Sequence, residues 1–291
     1  MTNQEKWKRL SAILDEAEAY GRAIGKLNFD MECCAPEEGM EQAGDDMALL
    51  GKHIHALTHS PEYAALVGEL HADGEGLSFA QRKTVEHLWE RYEKEKNLTE
   101  EFDHAWSVAA NRAYGKWLTA KKASDFSLFR DSLAEVVDFT RKAIDLRDEK
   151  PATYYNACLD DTEKGGSEAQ MDAFFGALKE RIVPLMRRIQ AEGKPIREDF
   201  LTRPCPIPEQ ERFSHYLLEA EGLRKSALVL MTTEHPFTTE FGPHDVRVTT
   251  HYFEDNFISN IFSTLHEGGH ALFMQNEPEE FWREHTAGSM S

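Results

Sequence analysis

The chain has 291 residues, of which 41% are hydrophobic and 29% charged, so it can bury a sizeable core beneath a polar surface. Its 52 acidic and 33 basic residues give a formal net charge of -19, and such a surface repels phosphate backbones and anionic lipids. This composition excludes fibrous and disordered proteins and argues against nucleic acid or a membrane as a partner.

The N-terminal residues and the cysteines indicate the compartment. Residues 1–10 are polar, and no stretch of the chain approaches the ~18 apolar residues of a membrane span. Cys33, Cys34, Cys158 and Cys205 form no CxxC pair and are too few for a disulfide framework. We therefore predict reduced, partly buried thiols and a cytoplasmic protein.

The first two hundred residues show helical periodicity almost throughout. One helix face carries apolar residues at spacings of three and four, namely Trp7, Leu10, Ile13, Leu14 and Ala17. Further helices are predicted over residues 45–57, 62–70, 79–118, 126–147 and 167–192. Pro184 is expected to kink or divide the last of these.

The remaining ninety residues have a more varied sequence pattern. Three prolines between residues 204 and 208 break any helix there, and a helix is predicted over residues 209–231. The run Asp245–Tyr252 alternates apolar and polar residues and is rich in Val and Thr, which predicts a strand. A last helix is predicted from an N-cap at Asp255 to Gln275.

These patterns predict a mainly α fold with a small strand element before the final helix. We expect one mostly helical domain over residues 1–291. Its helical N-terminal part covers residues 1–200, and residues 205–291 form the start of a catalytic region.

The final helix contains the HExxH motif of zinc peptidases. Residues four apart on a helix project from the same face, so His266 and His270 are predicted to offer two vertices of a tetrahedral zinc site. Glu267, beside the first histidine, is the predicted general base that takes a proton from the attacking water. The structural alternative is a pair of satisfied histidines on an ordinary core helix.

Residues around the motif support a functional site. Apolar residues surround the motif and are predicted to bury this helix: Phe257, Ile258, Ile261, Phe262, Leu265, Leu272 and Phe273. Gly268 and Gly269 each cost about 1 kcal/mol relative to Ala inside a helix, so we expect a close backbone approach there.

A catalytic zinc ion usually has three protein ligands, and the third is not evident. A metzincin requires Gly at position 273 and His at position 276, and the chain has Phe and Asn there, which excludes that class. The remaining candidates follow the helix in a polar segment and are individually more typical of solvated surface residues. They are Glu277, Glu279, Glu280, Glu284 and His285.

Three motifs in order resemble the thermostable carboxypeptidase (carboxypeptidase Taq) family of metallopeptidases. They are HPF at 235–237, DxRxT at 245–249 and HExxH at 266–270. The resemblance implies a helical, groove-shaped homodimeric enzyme that removes C-terminal residues from peptides with one Zn²⁺ or Co²⁺ ion per active site. It also implies that His235, Asp245, Arg247 and Thr249 line the groove and help to position the substrate.

The chain lacks later motifs of the family, namely the one that carries the third metal ligand and the one with the Arg expected to hold the substrate's terminal carboxylate. The family's third ligand is a Glu in an HES-type motif beyond the second histidine, and residues 288–291 resemble the stretch just before that motif. We therefore expect a fragment or a truncated relative that binds metal poorly and hydrolyses little or nothing on its own. The alternatives are a non-catalytic helical protein that oligomerises or binds peptides, and an HExxH oligopeptidase.

Overall fold

The computed structural model describes residues 1–201 and 203–286 of the chain, apart from the side chain of Glu37. Residues 288–291, which resemble the approach to the family's third-ligand motif, lie outside this range. The chain forms two compact units. The first consists of Met1–Tyr92, Thr99–Asn111 and Asp199–Ser291, and the second consists of Glu93–Leu98 and Arg112–Glu198. The single-domain organisation, with a division near residues 200–205, stays a prediction.

The chain is mainly helical, as predicted. The helices up to residue 123 are α1 (Asn3–Cys33), α2 (Met40–Thr58), α3 (Pro61–Ala72), α4 (Phe79–Glu95) and α5 (Glu100–Ala123). The later ones are α6 (Ser127–Asp145), α7 (Tyr154–Thr162), α8 (Glu168–Glu192), α9 (Ile207–Ala220), α10 (Phe257–Asn276) and α11 (Glu279–Arg283). None of the helices in the described ranges combines the length and the apolar composition needed to cross a bilayer.

Helix α1 begins where its sequence provides a capping box. The Thr2 hydroxyl accepts a hydrogen bond from the Glu5 amide at 3.2 Å, and the Glu5 carboxylate accepts one from the Thr2 amide at 2.8 Å. The five apolar residues predicted to share one face, from Trp7 to Ala17, are all buried. That face packs with α3 and α4 into the larger apolar core of the first unit.

One predicted helical run is wrong in extent. The run predicted over 79–118 is two helices, because Thr99 accepts a hydrogen bond from the Phe102 amide at 3.2 Å and starts α5 anew. The helix predicted over 167–192 is confirmed as α8, and Pro184, which was expected to kink or divide it, lies inside it without dividing it.

The helix predicted over 209–231 ends early, at Ala220. Gly222 has φ +93°, and the Leu223 amide donates to the Leu218 carbonyl at 3.1 Å, which together form a Schellman stop. The chain then forms strand β1 (Leu228–Thr232) in place of helix. The apolar periodicity did not reveal this helix end, because the end depends on a glycine in the left-handed conformation at the C′ position.

A three-stranded sheet lies against the final helix. Strand β3 (Val246–Thr250) confirms the predicted strand and is central, with β1 parallel on one side and β2 (Thr238–Glu240) antiparallel on the other. The β2 strand was not predicted, because it has three residues and no clear alternation.

Helix α10 is only half-buried along the apolar side that the sequence predicted to be its core, and its fully buried face is a neighbouring one. Its buried residues are small or polar, namely Asn260, Thr264, Glu267, Gly268, Ala271 and Gln275. Phe262, Leu265 and Phe273 are exposed by 68%, 37% and 45% respectively, so the prediction that they are core residues is wrong. Small residues permit close packing against α9, and buried polar groups find hydrogen-bond partners there and on β3. The predicted N-cap is also wrong, since Asn256 precedes the helix without a side-chain cap.

Candidate active site

The two motif histidines stand side by side on α10. Their ring centroids are 5.0 Å apart and the ring planes are inclined at 81°. Two imidazoles that bind one zinc ion at about 2.1 Å with roughly tetrahedral angles have ring centres about 5 Å apart. The residues therefore fit a shared divalent ion, and His266 is exposed while His270 is half-buried. Their role as ligands stays a prediction.

Glu267 is held in a single orientation by a residue that the sequence did not single out. Its side chain is 8% exposed, and its Oε2 accepts a hydrogen bond from the Thr238 hydroxyl at 2.7 Å. The same hydroxyl lies 2.9 Å from the Glu267 carbonyl oxygen. Thr238 follows the HPF motif directly, so strand β2 connects that motif to the predicted general base.

The two glycines inside the motif have different surroundings. A Cβ built on Gly268 would overlap the Glu221 carboxylate and lie 3.1 Å from Leu218 Cδ2, whereas one built on Gly269 would meet nothing within 4 Å. The close approach expected at these glycines therefore occurs at Gly268. Burial against the helix raises the pKa of Glu221.

Thr249 of the DxRxT motif fastens the HPF segment to the sheet. Its hydroxyl accepts from the Phe237 amide at 2.7 Å and donates to the Phe237 carbonyl at 3.0 Å, which also accepts from the Thr249 amide at 2.9 Å. Thr249 is fully buried, and His235, two residues before Phe237, is exposed. The motif threonine therefore acts on the position of the HPF turn.

Asp245 and Arg247 form a clamp with α1. The guanidinium makes two hydrogen bonds to the Asp245 carboxylate, at 2.9 and 3.1 Å, and its carbon lies 4.9 Å from the Phe29 ring centre and 4.8 Å from that of Phe241. Lys26 of α1 lies 3.4 Å from the same carboxylate. Hydrogen bonds from Arg247, followed by its charge and by Lys26, hold the pKa of Asp245 below its usual range.

The candidate third ligands after α10 do not join the histidine pair. In residues 1–201 and 203–286, no three His, Cys, Asp or Glu side chains are grouped closely enough to hold a metal ion. His285 is engaged elsewhere, since its ring nitrogens lie 2.7 Å from Glu18 Oε1 and 2.9 Å from the Ser11 hydroxyl of α1. Glu279 lies 3.8 Å from His244.

A second carboxylate follows Thr238 along β2. Burial raises the pKa of Glu240 to about 7, and the nearby Glu277 carboxylate adds to that rise. Within the described ranges, its Oε2 is buried without a hydrogen-bond partner. No motif marks this residue, because its surroundings are created by the approach of the end of α10.

Comparison with known proteins identifies close relatives. The family model for carboxypeptidase Taq (M32) metallopeptidases matches residues 9–291. Carboxypeptidase 1 of Bacillus subtilis (strain 168) is 32% identical over 274 residues, which cover 94% of this chain and 54% of that protein. Thermostable carboxypeptidase 1 of Thermus thermophilus is 31% identical over 297 residues, which cover 97% of this chain and 57% of that protein.

Solved structures agree with these relatives. The crystal structure of BsuCP gives a TM-score of 0.89 at 31% identity, covering 95% of this chain and 55% of that one. The M32 carboxypeptidase from Deinococcus radiodurans R1 gives 0.82 at 27% identity, covering 95% and 55%. The chain thus spans a little over half the length of the relatives that it matches.

Proposed function

Because the chain belongs to the carboxypeptidase Taq (M32) family of metallopeptidases, we propose that it provides the metal-binding and general-base residues of a metallocarboxypeptidase. The substrate is a peptide, from which C-terminal residues are removed by hydrolysis. The observation that carries the proposal is the side-by-side placement of His266 and His270 on α10, with Glu267 held between them and β2.

Each residue has a distinct part in the proposed reaction. His266 and His270 hold a divalent ion, for which Zn²⁺ and Co²⁺ are both suited to imidazole ligands. Such an ion supplies Lewis acidity, which activates water and polarises a carbonyl group. Glu267 accepts the proton of the attacking water and returns it to the leaving amine, while the Thr238 hydroxyl keeps its carboxylate oriented.

The DxRxT residues act on the substrate indirectly, through the HPF turn. Thr249 fixes the backbone of Phe237, and Asp245 with Arg247 ties strand β3 to α1. The exposed His235 side chain is then free to contact a peptide at the HPF turn. We propose that these residues position the substrate through that turn.

The metal is proposed to bind weakly to this polypeptide alone. In residues 1–201 and 203–286, no third His, Cys, Asp or Glu side chain joins the two histidines to make the three ligands usual in catalytic zinc sites, and ligand number governs affinity. Little or no hydrolysis is expected for the same reason. The homodimer, the cytoplasmic location, and the exclusion of nucleic acid and membrane partners stay predictions.

Zinc titration of the 291-residue chain tests the ligand assignment. We expect one zinc ion per chain, a loss of affinity of about tenfold or more in His266→Ala, and wild-type affinity in Glu267→Gln. His215→Ala removes an exposed histidine from α9 and serves as the matched control. Equal zinc affinity in His266→Ala and His215→Ala would refute the site.

A peptide assay with saturating zinc tests the reaction. Any residues that are released should come from a peptide with a free C-terminus and not from its C-terminal amide, and Glu267→Gln should abolish the release. Equal cleavage of the amide would favour an oligopeptidase. A complete absence of peptidase activity in the full gene product would favour a non-catalytic protein that oligomerises or binds peptides.

A further inference from the structure

The buried face of α10 carries two carboxamides, one on each side of the HExxH motif. Asn260 lies before the motif and is 1% exposed, and Gln275 lies after it and is 6% exposed. The exposed metal-ligand candidate His266 lies on the opposite side of the helix. Whatever fixes the rotation of the buried face therefore also fixes the direction of the imidazoles.

Asn260 is the centre of a fully buried hydrogen-bond network. Its Oδ1 accepts from the hydroxyls of Ser214 at 3.1 Å, Thr250 at 2.8 Å and Thr264 at 3.2 Å. Ser214, Thr250 and Thr264 are all 0% exposed. The network joins α9, strand β3 and α10 at one point.

Gln275 joins the other end of α10 to the chain between α9 and β1. Its Oε1 accepts from the Arg224 amide at 2.8 Å, and its Nε2 lies 3.3 Å from the carbonyl oxygens of Arg224 and Ala227. The Arg224 guanidinium also donates to the Gln275 carbonyl at 2.8 Å. Both ends of the motif helix are therefore held by directional bonds.

Directional bonds determine rotation more strictly than apolar packing does. A helix turns by about 100° per residue, so a shift of α10 by one position would remove both amides from their partners. Buried polar groups left without partners are strongly disfavoured, whereas apolar side chains adapt to a shifted neighbour.

Strand β3 relates this network to the rest of the site. Thr250 belongs to the Asn260 network, and its neighbour Thr249 fastens the backbone of Phe237 in the HPF segment. Two adjacent residues thus place the HPF turn and the HExxH helix against the same strand.

We infer that Asn260 and Gln275 are positioning residues for the HExxH helix, which set its rotation so that Glu267 meets Thr238 of strand β2 and the motif histidines point away from the buried face in one register. The inference rests on the proposed function, because the rotation of the helix matters for activity only if the motif histidines bind a metal ion. The bonds themselves are independent of any metal.

Substitutions on α10 test this inference with two measurements. We expect Asn260→Leu and Gln275→Met to weaken zinc affinity by about tenfold or more at a temperature where circular dichroism shows each variant folded. Asn276→Leu changes an exposed amide on the same helix, whose only side-chain hydrogen bond within the described ranges is to Leu272 of that helix, and should bind zinc as the wild type does. A purely structural role would lower the melting temperature of the two variants and leave the affinity of the folded protein unchanged, which would overturn the inference.

The second measurement does not depend on metal. In the wild type, the Thr238 methyl group should give a nuclear Overhauser effect to the Glu267 side chain, and this effect should be lost in the folded Asn260→Leu and Gln275→Met variants. Its persistence in both would overturn the inference. If the wild type binds no zinc at the histidines, the proposed function fails while this measurement still decides the positioning role.

A milder pair of variants covers the case in which Asn260→Leu does not fold. Thr250→Val removes one hydroxyl from the network with little change in shape, and Thr250→Ser keeps that hydroxyl. We expect weakened zinc affinity and a weakened Thr238 to Glu267 contact in Thr250→Val and recovery of both in Thr250→Ser. Identical behaviour of the two variants would overturn the inference.

Discussion

At the scale of single residues, the motif glycines provide a comparison within one helix turn. Gly268→Ala would place a methyl group against the Glu221 carboxylate and Leu218, whereas Gly269→Ala would place one in open space. Overpacking costs about 1–3 kcal/mol and exceeds the gain of up to about 1 kcal/mol in helix propensity. We expect Gly268→Ala to lower the free energy of unfolding and Gly269→Ala to leave it unchanged or raise it, as measured by urea denaturation. A Gly268→Ala variant as stable as Gly269→Ala would contradict the packing described here.

Glu240 gives a second prediction at this scale. Its pKa of about 7 in the folded chain lies above its ordinary value of 4.5, so the folded state holds this proton more tightly than the unfolded state does. The stabilising contribution is therefore complete at low pH and is lost as the pH rises through about 7. Because the side chain is only half-buried, we expect a loss of about 1–2 kcal/mol between about pH 5 and about pH 8.

Unfolding measured at several pH values in Glu240→Gln tests this assignment. The variant carries no ionisable group at that position, so its stability should fall less than that of the wild type over the same interval. Glu280→Gln, on the exposed surface of α11, is the matched control and should follow the wild-type curve. Parallel curves for wild type and Glu240→Gln would show that another group is responsible.

The sequence predicted site residues that lie together on one helix, but it did not predict contacts between residues of different elements. The spacing of His266, Glu267 and His270 reveals their common helix from the sequence alone. Thr238 lies 29 positions before its partner Glu267, and the contact exists because β2 packs on α10. Local spacing carries no information about such a contact.

At the scale of elements, periodicity located most helices, and tertiary contacts decided the rest. The apolar face of α1 is buried as predicted because one core covers it. The same reasoning failed for α10, whose partners α9 and β3 present polar side chains and demand a close approach. Helical periodicity shows that a helix has an apolar and a polar face, and the neighbouring elements determine which face is buried.

The contact between α1 and the sheet leads to a prediction about Arg247. Lysine in its place would lose the two-bonded pairing with Asp245 and the stacking between Phe29 and Phe241. We expect Arg247→Lys to lower the free energy of unfolding by about 1–3 kcal/mol in urea denaturation.

Arg9→Lys is the control for this substitution. Arg9 also makes two hydrogen bonds to one carboxylate, that of Glu62, but the pair is exposed and no ring from the part of the chain that the structure describes stacks on the guanidinium. Exposed pairs contribute about 0–1 kcal/mol, so this variant should unfold almost as the wild type does. An equal effect of the two substitutions would mean that the aromatic clamp contributes nothing.

At the scale of the whole molecule, burial is distributed very unevenly along the chain. The two apolar cores of the described ranges consist of residues from the first unit. Helix α8, in the second unit, has 25 residues and none that is buried, although α1, with 31 residues, has six. Helices of this length in water depend on packing for most of their stability. Local opening should therefore be much easier in α8 than in α1.

Limited proteolysis with chymotrypsin tests this difference, because α8 presents exposed aromatic residues at Phe174 and Phe175. We expect the first cuts of the native 291-residue chain to fall at these two positions. The buried Trp7 and Phe29 of α1 should be cut only after global unfolding, so they serve as the internal control. Hydrogen exchange should give the same order, with the amides of α8 exchanging before those of α1. Equal protection of both helices would mean that contacts other than those of the described chain stabilise α8 in solution, and the proteolytic order would then be lost as well.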